Sequence, residues 1–362
     1  MKKNKNRNKP NQFVAMLLCG AMACTMLSGC SAQAQALTSD VEPVVIEDSV
    51  ITREHTDMLA DFSYDMLRYT AAAQEENILI SPLSAWLVLT MTGQGANGDT
   101  ADEFAWFSRQ LDAAGQRELA AWLIEYLTQY DTVEETGAEI DIANSVWCDD
   151  ALTVNDSFVD IAKAYYRAEI IQQDLQAPGA VKTVNDWIST ATKERIQNML
   201  DQIDKNAVML LINALTLDAK WQDAFDIANT AEDVFYLPDG AELKKEFMHK
   251  RLTNASYLHW DGGEGIVLPY QENSLSMIAL MPDEAHSCDD IIKQLHSVWL
   301  RELQDNRTLA TVNLSMPKFK MESSITLNNI CQAMGLETAF DQHNADFTGI
   351  GTADNGTNIF IG

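Results

Sequence analysis

Residues 207–217 read AVMLLINALTL, a long apolar run interrupted by Asn213 and Thr216. Apolar residues at consecutive positions predict a strand covered on both faces, in the middle of a sheet. Ahead of this run the spacing is helical. Met58, Leu59, Phe62, Met66 and Leu67 recur at helical intervals over 52–70, and Pro82 suits the first turn of a helix running through SPLSAWLVLTMT. Further helices are predicted over 100–111, over 115–130, where Leu119, Trp122, Leu123, Tyr126 and Leu127 share a face, and over 155–169 and 181–200. The stretch 139–147 alternates as a strand does. Behind the central run strands dominate, at 234–237, 256–260, 265–269, 275–281 and 311–320, with helical stretches at 289–304 and 325–336. Helices first, then a strand-rich half, with no repeat and no second linker, predict one large α+β domain.

The chain has 362 residues, 46% of them hydrophobic and 22% charged, enough to bury a sizeable core. Formal charge is −28, although Lys2, Lys3, Lys5, Arg7 and Lys9 precede every acidic residue. Without those five of the 25 basic residues, 20 cations face 53 Asp and Glu. A net field of that sign argues against nucleic acid and anionic lipid as partners.

The basic start is followed by an apolar run, FVAMLLCGAMACTML over 13–27, which is too short for a comfortable membrane span and reads as an export signal over 1–29. It ends in Leu27-Ser28-Gly29-Cys30, which resembles the lipobox of bacterial lipoproteins. That resemblance implies diacylglycerol on the Cys30 thiol and a protein held at the bacterial cell surface or outside the cell. The alternative is a plain secretory signal with a stray cysteine, of the kind Cys19 and Cys24 already supply. Residues 30–51 are small, polar and acidic in their first half and are expected to form a flexible tether, with the folded domain over 52–362. Cys148, Cys288 and Cys331 are widely spaced and odd in number, so neither a disulfide framework nor a metal site is implied.

Two short motifs invite chemistry. Gly93-Gln94-Gly95-Ala96-Asn97-Gly98 matches G-x-G-x-x-G, but helical stretches flank it on both sides, where a dinucleotide fingerprint needs a strand before it. A turn between helices is the reading that fits. Ser315-Met316-Pro317-Lys318 matches the S-x-x-K of penicillin-recognising enzymes, yet Pro317 and the surrounding alternation put the pair on a strand, and the S-D-N and K-T-G companions are absent. The six histidines never take ligand spacing. No cofactor, no metal and no catalytic residue is implied.

Six segments, in order, resemble the serpin family over about 52–362. They are Asn77-Ile78-Leu79-Ile80-Ser81-Pro82-Leu83-Ser84, then Gly95-Ala96-Asn97-Gly98-Asp99-Thr100, then Leu211-Ile212-Asn213-Ala214 through Ala219-Lys220-Trp221 and Phe225. Leu268-Pro269-Tyr270, Leu275-Ser276-Met277 with Met281-Pro282-Asp283-Glu284, and Met316-Pro317-Lys318-Phe319-Lys320 with Ala345-Asp346-Phe347-Thr348-Gly349-Ile350 complete the set.

The resemblance implies a helix-rich N-terminal half around a large central sheet, with smaller sheets beside it. It also implies a non-enzymatic inhibitor of serine or cysteine endopeptidases, whose bait loop is cleaved and inserts into that sheet. Ser81, Ser84 and Asn213 match the family's shutter, where the sheet parts; Trp221 and Lys318 match its breach, where the loop enters. Asn358 to Gly362 would open a further central strand, so the bait loop and its reactive bond are expected beyond Gly362. Two alternatives stay open: a non-inhibitory binding protein on the same fold at the cell surface, and an enzyme using Ser315 and Lys318.

Overall fold

The computed structural model describes residues 34–74, 77–132, 137–237, 239–271 and 275–362; the expected signal peptide (1–29) and Cys30 lie outside the described residues. At the N-terminal side, β1 (Gln35–Ala36) leads through a 3-10 turn at Asp48–Val50 into α1 (Arg53–Ala73), where the Thr52 N–H donates to Nδ1 of His55 at 3.1 Å. α2 (Pro82–Gly93) begins with Pro82 in its first turn and Ser81 as its cap, which satisfies one of the four unpaired N–H groups of a helix start. Trp86, Leu87 and Met91 of α2 are fully buried, as expected of a helix apolar all round. α3 (Gly98–Phe107) and α4 (Ala113–Thr128) follow, then β2 (Asp131–Thr132), β3 (Ala138–Cys148), β4 (Leu152–Val154), α5 (Asp156–Tyr166), β5 (Glu169–Gln172) and α6 (Ala180–Ala191). The second half carries β6 (Met209–Ala219), β7 (Thr230–Tyr236), β8 (Glu242–Trp260), β9 (Gly263–Pro269), β10 (Ser276–Pro282), α7 (Cys288–Gln294), α8 (Ser297–Asp305), β11 (Thr308–Pro317), α9 (Asn328–Ala333) and β12 (Gly351–Ala353).

The apolar run over 207–217 supplies most of β6. This strand pairs antiparallel along its whole length with β3, from Ala138↔Ala219 to Cys148↔Met209. On its other edge β3 takes β2 at one end and, in parallel, β5 at the other. The second sheet runs β10, β9, β8, β11, with β7 added on the first half of β8. β8 serves two neighbourhoods because it bends at a bulge, where Asn254 is left-handed (φ 57°) and the register with β11 shifts between Ala310 and Val312. The main core lies among α1, α2, α3, α4, α5 and β3, around Phe62, Met66, Trp86, Phe104 and Phe158. Gly95 and Gly349 close a tight contact in it: a Cβ at Gly95 would lie 2.1 Å from Ile350 Cγ1. The G-x-G-x-x-G stretch is therefore a packed turn between α2 and α3, without the strand a dinucleotide site needs.

Several expected boundaries move, each for a local reason. The helix over 181–200 stops at Ala191, because Lys193 and Glu194 turn left-handed (φ 50° and 65°) and the Thr192 hydroxyl takes the Ile196 N–H at 3.1 Å. The stretch 289–304 is two helices, since Leu295 is extended and the His296 ring caps the second by accepting from the Trp299 N–H at 3.1 Å. β8 begins at Glu242, well ahead of the expected 256, because its charged start is held by pairing with β7, joined by β11 from Phe247 on, rather than by an apolar pattern.

The flexible tether expected over 30–51 is corrected in its described part. Gln35 and Ala36 pair with Gln172 and Ile171 of β5, the Leu37 N–H donates to the Ile170 carbonyl at 2.8 Å, and the Val44 N–H to the Ala164 carbonyl at 2.8 Å. The Ser39 hydroxyl meets the Asp160 carboxylate, the Trp122 indole N–H reaches Asp48 at 2.9 Å, and Leu37 and Ile51 pack on the core. An edge strand offers unpaired backbone groups, and a short polar segment can fill them without any apolar periodicity of its own. At the other end, Asn358 to Gly362 pair with no strand among the described residues. They lie against the core through Ile359 and Ile361, and the Ile361 N–H donates to the Ala339 carbonyl at 2.8 Å.

Candidate functional site

Asn213 and Asn144 face each other across the middle of the β3–β6 ladder. The Asn213 amide donates to Oδ1 of Asn144 at 2.8 Å, and the buried Asn144 amide donates to the Tyr166 carbonyl at 2.7 Å. Tyr166 is the last residue of α5, where carbonyls lack helical partners, so Asn144 caps a helix end from the sheet. The chain ends in an unpaid acceptor: Oδ1 of Asn213 is buried and takes no hydrogen bond among the described residues. Such an atom normally has a partner. The Tyr166 hydroxyl is fully buried, accepts from Gln94 at 3.2 Å, and burial pushes its pKa well up, so it stays neutral.

Ser81 and Ser84 sit at the start of α2. Their hydroxyls are 2.9 Å apart, and the Ser81 Oγ accepts from the Ser84 N–H at 3.3 Å. The three residues expected at the shutter thus form two polar groups, a serine pair at the helix start and an asparagine pair in the ladder, with no hydrogen bond between them among the described residues.

Trp221 follows β6 and joins the two sheets. It bridges to Tyr270 just past β9, stacks on that ring at 4.7 Å and 19°, and meets Phe225 edge-on at 6.2 Å. The Gln222 N–H donates to the Pro269 carbonyl at 3.1 Å and the Gln271 N–H to the Lys220 carbonyl at 2.8 Å. Lys318 lies past the end of β11. Its N–H donates to the Glu246 carbonyl at 2.8 Å and its ammonium is 3.8 Å from that carboxylate. No bond or ring contact joins Lys318 to Trp221. Ser315 is on β11 itself, so three residues do not carry Lys318 round one helical turn to its hydroxyl, and the S-x-x-K reading loses its geometry.

A charged clamp escaped the sequence reading. Lys193 and Arg195, in the loop after α6, close on Glu139 and Asp141 of β3 and Asp218 of β6. Arg195 is 2.5 Å from Glu139, 2.9 Å from Asp141 and 3.3 Å from Asp218; Lys193 is 2.9 Å from Asp141 and bonded to Glu139. The Lys193 hydrogen bond, then that of Arg195, holds the Glu139 carboxyl below its ordinary range, and the same contacts raise Lys193. The one available signal was alternation of acids at 139 and 141 on a predicted strand with cations at 193 and 195, a match no local pattern makes. The buried thiols of Cys148 and Cys331 are pushed up to about 12 by burial, which keeps them protonated and inert.

A profile described as Serpin (serine protease inhibitor) matches residues 57–361. Serpin B6 of Macaca fascicularis is 27% identical over 314 residues, covering 82% of this chain and 82% of that protein. The plasma serine protease inhibitor of Homo sapiens is 26% identical over 299 residues, covering 82% of this chain and 73% of that protein. The native-state crystal structure of tengpin, a thermophilic serpin, matches with a TM-score of 0.81 at 31% identity, over 90% of this chain and 83% of that one.

Proposed function

The chain belongs to the serpin family, and from that premise we propose that it inhibits serine or cysteine endopeptidases, by cleavage of a bait loop that then inserts as a strand of the first sheet. The observation that carries the reading is the Asn213–Asn144–Tyr166 chain with its open acceptor. Amides on both strands of a ladder can exchange partners as strands separate, where apolar side chains could only lose contact. Trp221, stacked at the junction of the sheets, and Lys318 at the end of β11 take the breach roles, and Ser81 and Ser84 join Asn213 in the shutter.

The Lys193–Arg195 clamp holds β3 and β6 together, because Arg195 grips Asp141 on β3 and Asp218 on β6 at once. The protein is exported and held by a lipid on Cys30, which places it where foreign proteases arrive. No helix among the described residues is long and apolar enough to cross a membrane.

The test uses protein expressed from its gene, with any codons that follow Gly362, incubated with chymotrypsin-like, subtilisin-like and papain-like proteases. An SDS-resistant complex at the summed mass supports the reading; cleavage into free fragments with the protease still active refutes it. A fatty-acid label on the protein that disappears in Cys30→Ser supports the anchor.

A further inference from the structure

One face of the second sheet carries an open pocket of about 490 Å³ that neither the shutter nor the breach uses, with Arg251, Asn313 and Ser315 exposed to solvent in it. Register fixes what faces it. His249 lies opposite Ser315, and Arg251 opposite Asn313, so alternation puts all four side chains on one side of the β8–β11 ladder. The other side of β11 carries Val312, Leu314 and Met316, packed with Leu252 and Ile266, which holds the two strands rigidly beneath the polar face. Lys250 points its ammonium the other way, to the Ala224 carbonyl at 2.6 Å. Ala228, Asn229 and Ala231 form the facing wall, and the two alanines leave the room.

The chemistry of this face is out of keeping with the chain. It is built of donors, and no Asp or Glu lines it, in a protein with 53 of them. Arg68, Arg109, Arg167, Arg195 and Arg301 each hold a carboxylate. Arg251, like Arg53, Arg117 and Arg307, holds none among the described residues, and neither it nor Ser315 makes a side-chain hydrogen bond there. The His249 ring makes no hydrogen bond among the described residues; it lies nearly parallel to Phe247 at 6.4 Å and 22°.

We propose that the β8–β11 face formed by His249, Arg251, Asn313 and Ser315 binds a small molecule through a tetrahedral oxyanion, a phosphate or sulfate monoester. A guanidinium supplies paired N–H groups to such an anion, the hydroxyl, amide and imidazole add neutral donors, and the volume accommodates the organic part against the alanine wall. The net negative field of the body does not forbid it. At physiological salt the charges beyond about 8 Å are screened, and the donors act at contact. The proposal does not rest on the inhibitor reading.

Isothermal titration of the protein with phenyl phosphate, phenyl sulfate and benzoate, at constant ionic strength, tests it. Expected is binding of at least one monoester with a Kd of about 1 mM or tighter, weakened about tenfold or more in Arg251→Gln, as loss of a charged hydrogen bond implies. Ser315→Ala also weakens it, while Lys293→Ala, on the exposed side of α7, leaves it unchanged. Binding of phenyl phosphate alone or phenyl sulfate alone identifies the ester. The proposal is overturned if neither monoester binds, if Arg251→Gln and Ser315→Ala both bind as the parent does, or if benzoate binds as tightly as the esters.

Discussion

Asn144 and Asn213 meet side chain to side chain at the centre of the β3–β6 ladder, with the Asn213 amide 2.8 Å from Oδ1 of Asn144. Asn144 is the more deeply committed of the two. Its own amide donates to the Tyr166 carbonyl, so one residue ties two strands and a helix end together.

Replacing Asn144 with Ala strands two buried groups, the Tyr166 carbonyl and the Asn213 amide. It is expected to cost about 2–4 kcal/mol of unfolding free energy. Asn213→Ala frees only one partner and is expected to cost about half as much. Urea denaturation of the two single variants and the double variant gives the coupling, and equal, additive losses would show that the pair is not a unit.

The carboxyl of Glu139 sits below its ordinary 4.5 because Lys193, then Arg195, bonds its ionised form. A carboxylate depressed in the folded state contributes stability that is present above its ordinary pKa and lost as pH falls through the folded value, since the unfolded chain then binds the proton more readily. Stability is therefore expected to fall below about pH 4.5, and less steeply in Glu139→Gln. Urea midpoints at about pH 7 and about pH 3.5 measure the difference; identical falls in both proteins would remove Glu139 from the account.

The clamp also predicts motion. Arg195→Ala frees the loop after α6 from β3 and β6 together and is expected to speed amide exchange over 192–206, with exchange in β8 unchanged. High salt reproduces part of that effect in the parent protein, because the pairs are partly solvent-exposed. Unaltered exchange in that loop would mean that backbone contacts alone hold it.

Gly95→Ala forces a Cβ to 2.1 Å from Ile350 Cγ1 and 2.8 Å from the Ile350 nitrogen. The backbone contact cannot swing aside, so a loss of about 2–3 kcal/mol or more is expected. Gly98→Asn, at φ 52° with open space around it, is expected to cost under about 1 kcal/mol. Thermal melts of both variants check the order.

The N-terminal segment over 34–51 behaves as part of the body. Ile51→Ala is expected to cost about 1–2 kcal/mol, less than a fully buried isoleucine, because Ile51 is only partly covered. A truncation starting at Thr52 additionally exposes the β5 edge and is expected to lower the melting temperature further. An unchanged melting temperature would show that the segment is held without contributing.

Most helices and strands were legible in the amino-acid sequence where burial imposes a period, but not the breaks within 181–200 and 289–304. β6 was legible because a strand covered on both faces is apolar at every position, α2 because Ser81-Pro82 starts a helix, and the order of motifs was enough to identify the family. The first half of β8 and the segment at β1 were not legible: both are held by backbone pairing along edges, which leaves no apolar signature. Sequence also named Asn213 and Trp221, yet only the tertiary structure supplied Asn144, the Tyr166 carbonyl and Tyr270 as their partners, and only it assembled Lys193, Arg195, Glu139, Asp141 and Asp218. Local periodicity is fixed by neighbours three or four residues apart, whereas a charge pair or a stacked ring depends on which strands lie side by side, a property of the folded chain alone.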